Sequence, residues 1–414
     1  MKTSQRALSL APFYAMEFVK HAAALEAQGR DIVKLSIGEP DFGAPPAVIA
    51  AAHELTDGRP LAYTPALGIP ELREAIAGFY HDVHGVHVDP SRIIVTAGAS
   101  AALLLMTAAL VDPEDEVIVG DPSYPCNRQF LSSFGARVRL VATDASTRFQ
   151  LSADAVKAHW SPTTTGLMIA TPSNPTGTSV LPGELREICE WARQKGAWRI
   201  VDEIYLNLGT PDEHGHPPQT VLSFDPDAIV INSFSKYFGM TGWRLGWCVG
   251  PERLVPIVER LAQNYYICPS ALAQQAALAC FTPESLAICE SRRVAFAERR
   301  ALVLEGLNRI GLPVPVPPDG AFYVYLDVSE TGLTSWQFCE RALEEADVAL
   351  APGKDFGDCG ADRYVRLSYA VSDERLREGI ERLGRFMDRL RTEQRSQVQD
   401  IQVLDEPRGT SSAR

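Results

Sequence analysis

The chain has 414 residues, of which 46% are hydrophobic, and its formal net charge at pH 7 is −13. This length exceeds what one compact core usually holds and predicts two domains, or a large domain with a smaller partner. The negative charge provides no basic surface for nucleic acid and no polybasic segment for an anionic membrane, so we expect neither partner.

The first predicted elements are a helix over 15–28 and a short strand over 32–37, after about ten loose residues. Helices over 45–57 and 70–83 follow. The apolar run 101–111 is the longest in the chain, yet it is shorter than the roughly 18 residues that span a bilayer. It therefore predicts a buried helix and no membrane segment.

From residue 92 onward, the pattern alternates between strands and helices. The predicted strands cover residues 93–97, 117–120, 138–142, 167–170, 200–202, 229–232 and 246–250. Because helices separate most of them, the pattern predicts a mainly parallel, doubly wound sheet of the α/β class. Ligands of such sheets bind beyond the carboxyl ends of the strands.

A long helix predicted over 283–309 leads to a second region of the chain. Its predicted short strands are 322–326, 348–350 and 364–368. We interpret this region as a smaller α+β domain that includes the N-terminal segment. The predicted large domain covers 44–285, and the small domain combines 10–43 with 286–392. The polar residues 393–414 are expected to be disordered.

Eight cysteines are scattered along the chain with no Cys-x-x-Cys pair and no zinc-like spacing. They are Cys126, Cys189, Cys248, Cys268, Cys280, Cys289, Cys339 and Cys359. Near the N-terminus, Pro12 and Glu17 interrupt the apolar stretch that a signal peptide would need. We therefore expect reduced thiols, a cytoplasmic protein and no metal site.

The segment 232–247 holds one lysine, Lys236, together with Ser233, Ser235 and Arg244. A lysine amine can form a Schiff base with an aldehyde, while hydroxyls and a planar guanidinium suit an oxyanion. Together these side chains suit a phosphorylated aldehyde cofactor. A Ser-x-Ser-Lys sequence alone is more often a strand end followed by a solvated lysine, so the interpretation depends on other residues.

Residues upstream of this segment favour the cofactor. Asp202 follows the apolar run 198–201, and a carboxylate at a strand end can keep the ring nitrogen of pyridoxal phosphate protonated. Asn174, in Ser-Asn-Pro-Thr-Gly, follows another predicted strand, and its amide can hydrogen-bond the phenolic oxygen of the ring. Ala99 and Ser100 begin a predicted helix, whose free N–H groups and positive dipole end suit a phosphate.

Five residues occur in the order and spacing of the class I/II, fold-type I aminotransferases: Lys236, Arg244, Asp202, Tyr205 and Asn174. The chain resembles this family over roughly residues 10–390. The resemblance implies a fold-type I transferase that uses pyridoxal 5′-phosphate, with Lys236, Asp202 and Tyr205 as catalytic residues. It also implies transfer of an amino group from an L-amino acid to a 2-oxo acid through a Schiff base on Lys236.

The resemblance assigns further residues to the cofactor. Tyr124 would stack on its ring, and Tyr63 would reach the cofactor phosphate of a neighbouring subunit, which implies a homodimer with shared active sites. The residues that would surround the phosphate within the subunit are Ala99, Ser100, Ser233, Ser235 and Arg244. Gly38, Asn174 and Arg366 would bind the substrate, with the Arg366 fork on its α-carboxylate.

A departure from the family predicts the side chain of the substrate. Some aspartate-specific members carry a lysine where this chain has Ser100, and Ser-x-Thr where it has Phe13, Tyr14 and Ala15. Burying a carboxylate without a cation or hydrogen-bond donors costs several kcal/mol. A pocket edged by Phe13, Tyr14 and Met16 therefore predicts aromatic or aliphatic donors.

Other interpretations stay open at this point. The protein is an aspartate aminotransferase if another arginine serves the distal carboxylate. A carbon–sulfur β-lyase or a decarboxylase would use the same cofactor. A non-catalytic regulator would need a DNA-binding module of about 60 residues, whereas only about ten residues precede the first matching helix.

Overall fold

The structure is a computed structural model that describes residues 1–405, including the side chains of residues 1–8 and 10–396. The part of the predicted disorder that falls on residues 406–414 lies outside the described residues. Within residues 1–405, no helix has both the length and the apolar composition needed to cross a bilayer.

Within the described residues the chain forms thirteen α-helices. They are α1 (Gln5–Ser9), α2 (Tyr14–Ala27), α3 (Pro46–Leu55), α4 (Pro70–His84), α5 (Ala99–Leu110), α6 (Pro125–Ser133), α7 (Ala153–His159), α8 (Pro182–Gln194), α9 (Val255–Tyr265), α10 (Ala271–Ala277), α11 (Pro283–Ile310), α12 (Ser335–Ala346) and α13 (Asp373–Asp405). The apolar spacing that predicts a helix over 15–28 is the buried face of α2, formed by Phe18, Ala22 and Leu25.

Helix α11 connects the two regions of the chain, and its ends follow from its sequence. At its start the Thr282 hydroxyl accepts a hydrogen bond from the Ser285 N–H, and Pro283 occupies the first helical turn. At its end Gly311 has a φ of +74°, which glycine adopts without strain. These signals explain why the predicted range 283–309 is close to the observed one.

Twelve strands occur within the described residues. They are β1 (Val33–Lys34), β2 (Ile93–Thr96), β3 (Glu116–Asp121), β4 (Arg137–Ala142), β5 (Thr164–Ala170), β6 (Trp198–Asp202), β7 (Ile229–Ser233), β8 (Gly246–Val249), β9 (Tyr323–Asp327), β10 (Val348–Ala349), β11 (Ala351–Pro352) and β12 (Tyr364–Ser368). A seven-stranded sheet has the order β2-β8-β7-β6-β5-β3-β4, in which only β8 runs antiparallel to its neighbours. The predicted mainly parallel, doubly wound α/β fold is confirmed.

Both faces of this sheet are covered by packed side chains. In β6, Ile200 packs into one cluster together with Ile94 of β2, whereas the adjacent Val201 packs into another cluster with Val95. All four side chains are fully buried. Strands that are buried on both faces form continuous apolar runs, which is why they are recognisable in the sequence.

The two ends of the chain meet in a second, smaller region. Strand β1 pairs in parallel with β10, and β11, β12 and β9 form an antiparallel sheet. The domain boundaries given above stay predictions.

Helix α13 corrects one expectation from the sequence. It extends to Asp405, past the predicted end near residue 392 and through the segment 393–405 that was expected to be disordered. Tertiary contacts support the start of this extension. Glu393 pairs with Arg341 of α12 at 3.0 Å, and Gln394 Nε2 donates to the Thr331 carbonyl at 2.7 Å.

Candidate active site

A cavity of about 440 Å³ opens at the carboxyl edge of the central sheet. Ala170, Asp202 and Ser233, which end strands β5, β6 and β7, lie on its wall. The predicted site residues that line this cavity are Phe13, Gly38, Ala99, Ser100, Tyr124, Asn174, Asp202, Tyr205, Ser233, Lys236, Arg244 and Arg366. The fold therefore brings most of the predicted site together from both regions of the chain.

The Lys236 amine faces this cavity just beyond the end of β7. Its Nζ donates a hydrogen bond to the Gly38 carbonyl at 2.6 Å and lies 5.5 Å from the centre of the Tyr205 ring. Burial, followed by the nearby Arg366 charge, lowers the pKa of Lys236 to about 8. The amine is therefore neutral more often near neutral pH, as a nucleophile and proton acceptor requires.

Asp202 is a buried carboxyl group at the end of β6, with 3% of its surface exposed. Its Oδ1 accepts a hydrogen bond from the Ile204 N–H at 3.1 Å. Burial raises the pKa of Asp202 to about 7, although this hydrogen bond and the Lys236 charge oppose the shift. A cationic ring nitrogen against the carboxyl group would favour its ionised form, so the site fits a pyridinium.

Helix α5 begins at the cavity with Gly98 as its N-cap and with no side-chain cap among the described residues. Gly98 has a φ of +85°, and a Cβ at this position would lie 2.6 Å from Nη2 of Arg244. Glycine therefore lets the guanidinium approach the helix start. Ala99 and Ser100 present the first N–H groups of the helix. Together with the Ser233 hydroxyl in the same cavity, these groups fit a phosphate.

Arg366 of β12 enters the cavity from the smaller region. Its Nη1 donates to Asn174 Oδ1 at 2.8 Å, and its Nη2 donates to the Ser36 carbonyl at 2.6 Å. The guanidinium lies 4.6 Å from the centre of the Tyr323 ring. Within the described residues the buried Nε has no hydrogen-bond partner. A rigid guanidinium with a free donor fits a substrate carboxylate.

Three tyrosines contribute to the cavity wall. The hydroxyls of Tyr205 and Tyr323 are 2.8 Å apart, and both side chains are buried. The Tyr124 ring meets Phe13 edge to face, with ring centres 6.3 Å apart. Burial raises the pKa of Tyr124 and of Tyr205 well above the usual value of a phenol. Both hydroxyls therefore stay protonated and can donate hydrogen bonds.

The structure does not place Tyr14 on the cavity wall, which corrects the predicted edge of the pocket. Its ring meets Trp336 edge to face, with ring centres 5.7 Å apart. Phe18, one helical turn further on, meets the same tryptophan at 5.0 Å. Residues four apart share one face of a helix, and in α2 this face packs on Trp336 while Ala15 and Val19 face the cavity.

Two other predicted residues lie outside the cavity wall. Ser235 contributes its backbone, since its N–H donates to Ser233 Oγ at 3.0 Å and its carbonyl accepts from the Thr241 hydroxyl at 2.9 Å. These bonds hold the turn that carries Lys236. Tyr63 is 80% exposed on the surface of the single chain. Its assignment to the cofactor of a neighbouring subunit stays a prediction.

Several lining residues were missed in the sequence, among them Val19, Leu103, Thr241 and Tyr323. Thr241 stands close to Arg244 in Met-Thr-Gly-Trp-Arg, which is the one local signal for it. The other three belong to regular helices or to a strand. Periodicity shows that such residues are buried, but it does not show whether they face a core or a cavity.

Residues 30–383 match the family model described as aminotransferase class I and II. The chain belongs to this family. The aminotransferase therefore depends on pyridoxal phosphate, and its cavity fits the cofactor at the ring nitrogen, the phosphate and the lysine. Among the described residues, no cluster of three or more His, Cys, Asp or Glu side chains could hold a metal ion.

Known relatives agree with this assignment. The aminotransferase is 41% identical to the valine–pyruvate aminotransferase of Mycobacterium tuberculosis, over 91% of this chain and 96% of that protein. It is 36% identical to the aspartate/prephenate aminotransferase of Thermus thermophilus, over 93% of this chain and 99% of that protein. A crystal structure of an aminotransferase from Mycobacterium tuberculosis superposes with a TM-score of 0.89 at 40% identity, over 94% and 99% of the two chains. The protein is thus a transaminase with the fold-type I architecture.

Proposed function

We propose that this aminotransferase uses L-amino acids with aliphatic or aromatic side chains as amino donors. The distribution of charge in the cavity carries the proposal. Among the described residues that line the cavity, the cationic side chains are Lys236, Arg244 and Arg366. Their positions suit the aldehyde, the phosphate and the α-carboxylate respectively. None of these lining cations remains for a second, distal carboxylate.

The rest of the cavity wall supports the same donors. Its apolar side chains include Phe13, Met16, Val19, Ile37 and Leu103. A distal carboxylate would lose water here without gaining a cation, which costs several kcal/mol, whereas an apolar side chain gains from burial. The similarity to the valine–pyruvate aminotransferase of Mycobacterium tuberculosis also supports an aliphatic donor with pyruvate as an acceptor. Glutamate or 2-oxoglutarate is expected to be tolerated as the second partner.

The side chains of this chain divide the work of the reaction. Pyridoxal phosphate, when bound, supplies the aldehyde that accepts the amino group and the ring that withdraws electrons from the substrate Cα. Arg366 holds the α-carboxylate and so orients the bonds at Cα. Lys236 Nζ accepts the Cα proton, and Asp202 keeps the ring nitrogen protonated. Because donor and acceptor use the same site in turn, ping-pong kinetics are expected.

The test compares kcat/KM for valine, leucine, methionine, phenylalanine, alanine and aspartate at a fixed concentration of 2-oxoglutarate. We expect the best apolar donor to exceed aspartate by at least about tenfold, which is ~1.4 kcal/mol of transition-state preference. A tenfold advantage for aspartate would contradict the proposal. Ammonia and pyruvate released from cystathionine without an acceptor would indicate a lyase instead.

We further propose that the active unit is a homodimer with shared sites in the cytoplasm. Tyr63 is exposed on the single chain, although its ring would reach a neighbouring phosphate in the family arrangement. The chain also exposes Leu61, Tyr265 and Ile267. A second subunit that covered these side chains would remove their apolar surface from water, which favours a dimer. The scattered cysteines support a reducing compartment.

A further inference from the structure

A buried carboxylate caps the helix that forms part of the cavity wall. Helix α2 begins at Tyr14, and its own N-cap residue, Phe13, makes no side-chain cap. Instead, Asp355 accepts hydrogen bonds from the N–H groups of Tyr14 and Ala15, both at 2.8 Å. The first N–H groups of a helix lack partners within it, so Asp355 satisfies two of them and complements the helix dipole.

The capped segment carries the apolar side of the cavity. Phe13, Ala15, Met16 and Val19 all line it. Their positions relative to the rest of the cavity depend on where the first turn of α2 sits, and Asp355 is the group that binds that turn. Asp355 itself is 1% exposed and is not among the described residues that line the cavity.

The loop that carries Asp355 is fixed on several sides. Arg128 Nη2 donates to the Asp355 carbonyl at 2.8 Å. The carbonyl of the next residue, Phe356, accepts from the Ser123 N–H at 2.8 Å. The Phe356 ring lies 4.9 Å from the guanidinium carbon of Arg366. One short loop therefore contacts both the start of α2 and the arginine that suits the α-carboxylate.

We propose that Asp355 is a positioning residue for donor selectivity. By holding the first turn of α2, it sets the distance between the apolar wall that meets the donor side chain and the Arg366 fork. It acts through the backbone of Tyr14 and Ala15. This inference rests on the proposed function of the same cavity, and hydrogen exchange tests it independently of any substrate.

The first experiment measures amide hydrogen exchange by mass spectrometry in the purified full chain loaded with pyridoxal phosphate. In Asp355→Asn and Asp355→Ala, we expect exchange in peptides that cover residues 13–19 to be at least about tenfold faster, because charge-assisted hydrogen bonds hold this turn. The matched control is Asp327→Asn, which also removes a buried carboxylate that accepts a backbone N–H, from Ser329 at 2.9 Å. Unchanged exchange over 13–19 in the Asp355 variants would overturn the proposal.

The second experiment removes the donor of one hydrogen bond, the Tyr14 N–H, instead of the acceptor on Asp355. Tyr14→Pro and Tyr14→Ala both delete the ring that packs on Trp336, but only proline also deletes the N–H that binds Asp355. Proline suits the first position of a helix, and Phe13 is already extended (φ −89°, ψ 96°), as the residue before proline must be. Equal exchange and equal kinetics in the two variants would show that this bond positions nothing.

The kinetic readout separates positioning from a general loss of structure. Asp355→Asn is compared with the wild type, and Tyr14→Pro is compared with Tyr14→Ala. In both comparisons we expect kcat/KM for leucine to fall about tenfold more than kcat/KM for alanine, mainly through a higher KM. The leucine side chain is long enough to contact the displaced apolar wall, whereas the alanine methyl group contacts this wall less. An equal fall for both donors would contradict a role in selectivity. If aspartate proves the preferred donor, the proposed function fails while the exchange result still decides the role of Asp355.

Discussion

The active-site cavity joins two halves that the chain builds in different ways. The cofactor half consists of residues at the ends of adjacent strands and at the start of one helix, such as Asp202, Ser233 and Lys236. The substrate half combines Phe13, near the N-terminus, with Arg366. The loop that carries Asp355 contacts both Arg366 and the start of α2, and the hydrogen bond from Ala15 to Asp355 joins residues 340 positions apart in the sequence. Parallel strands fix the first half through their backbone register, whereas the second depends on tertiary hydrogen bonds between distant parts of the chain.

The two halves also use buried charge differently. In the cofactor half, the pKa of Lys236 is lowered and that of Asp202 is raised, both chiefly by burial, and both groups face the cavity. In the substrate half, burial raises the pKa of Asp355 to about 6, while hydrogen bonds from Ala15 and Tyr14 oppose the shift. We expect Lys236 and Asp202 to take part in the chemistry, whereas the carboxyl group of Asp355 binds backbone N–H groups.

The largest expected effect comes from the cofactor half. Lys236→Ala should lower the transamination rate by at least about 10⁴-fold, because one amine both binds the aldehyde and moves the proton. Borohydride reduction of the protein loaded with pyridoxal phosphate should label Lys236 in a peptide map. The exposed Lys195→Ala is the matched control and should retain both activity and label. Label on Lys34, Lys157 or Lys354 would contradict the assignment.

Asp202→Asn tests the second charged group of the same half. Loss of the carboxylate should lower kcat by roughly 10- to 1,000-fold, since an adjacent opposite charge shifts the pKa of the ring nitrogen by about 1 to 3 units. Steady-state kinetics with a saturating donor measure this effect. A fall in KM alone, with kcat unchanged, would show that Asp202 does not act on the ring.

The same carboxyl group predicts a pH dependence of stability in the cofactor-free protein. Its pKa rises from an ordinary 3.8 to about 7 on folding, so its favourable contribution is complete below pH 3.8 and is lost as pH rises through about 7. The Tm advantage of Asp202→Asn over the wild type should therefore grow between about pH 4 and 7 and then level off. The control is Asp388→Asn, which removes a carboxyl group that is exposed on the surface. A Tm difference that stays constant between about pH 4 and 7 would show that folding does not raise the pKa of Asp202.

In the substrate half, we expect selectivity to change with smaller losses of rate. Phe13→Ser, Ala15→Thr and Ser100→Lys together introduce the polar groups found in some aspartate-specific relatives. The ratio of kcat/KM for aspartate over leucine should rise by about tenfold or more, because the distal carboxylate gains a cation and donors. The control variant combines Phe13→Ser and Ala15→Thr with Ser100→Met, which gives residue 100 a long side chain without a charge. An equal ratio in the two triple variants would show that the cavity does not sense this charge.

The smallest expected signal tests whether the cofactor half is complete in one chain. Lys236→Ala and Tyr63→Phe chains, each weakly active alone, should recover up to about one quarter of wild-type activity when equal amounts are mixed, because about half of the dimers are then heterodimers. One of the two composite sites would then contain both residues. Confirmed heterodimers with no recovery would contradict the shared site.

The fold and the cofactor half could be predicted largely from the sequence. Strands such as β6 are apolar on both faces, so they stand out as continuous runs, and Asp202 and Asn174 follow such runs. The substrate half was predicted less well. The sequence predicts Tyr14 at the cavity, but the rotation of α2 places this ring against Trp336, and the sequence does not identify Val19 as a lining residue.

The sequence by itself determined most of the strands and helices, the α/β class and the cofactor, and it predicts the lysine that binds this cofactor, because these depend on local runs and on motifs within single loops. Only the tertiary structure decided which face of α2 meets the cavity, that Asp355 caps this helix, and how far α13 extends. Each of these depends on contacts between residues far apart in the chain, such as Glu393 with Arg341. Local periodicity specifies that a face is buried, and packing alone specifies what covers it.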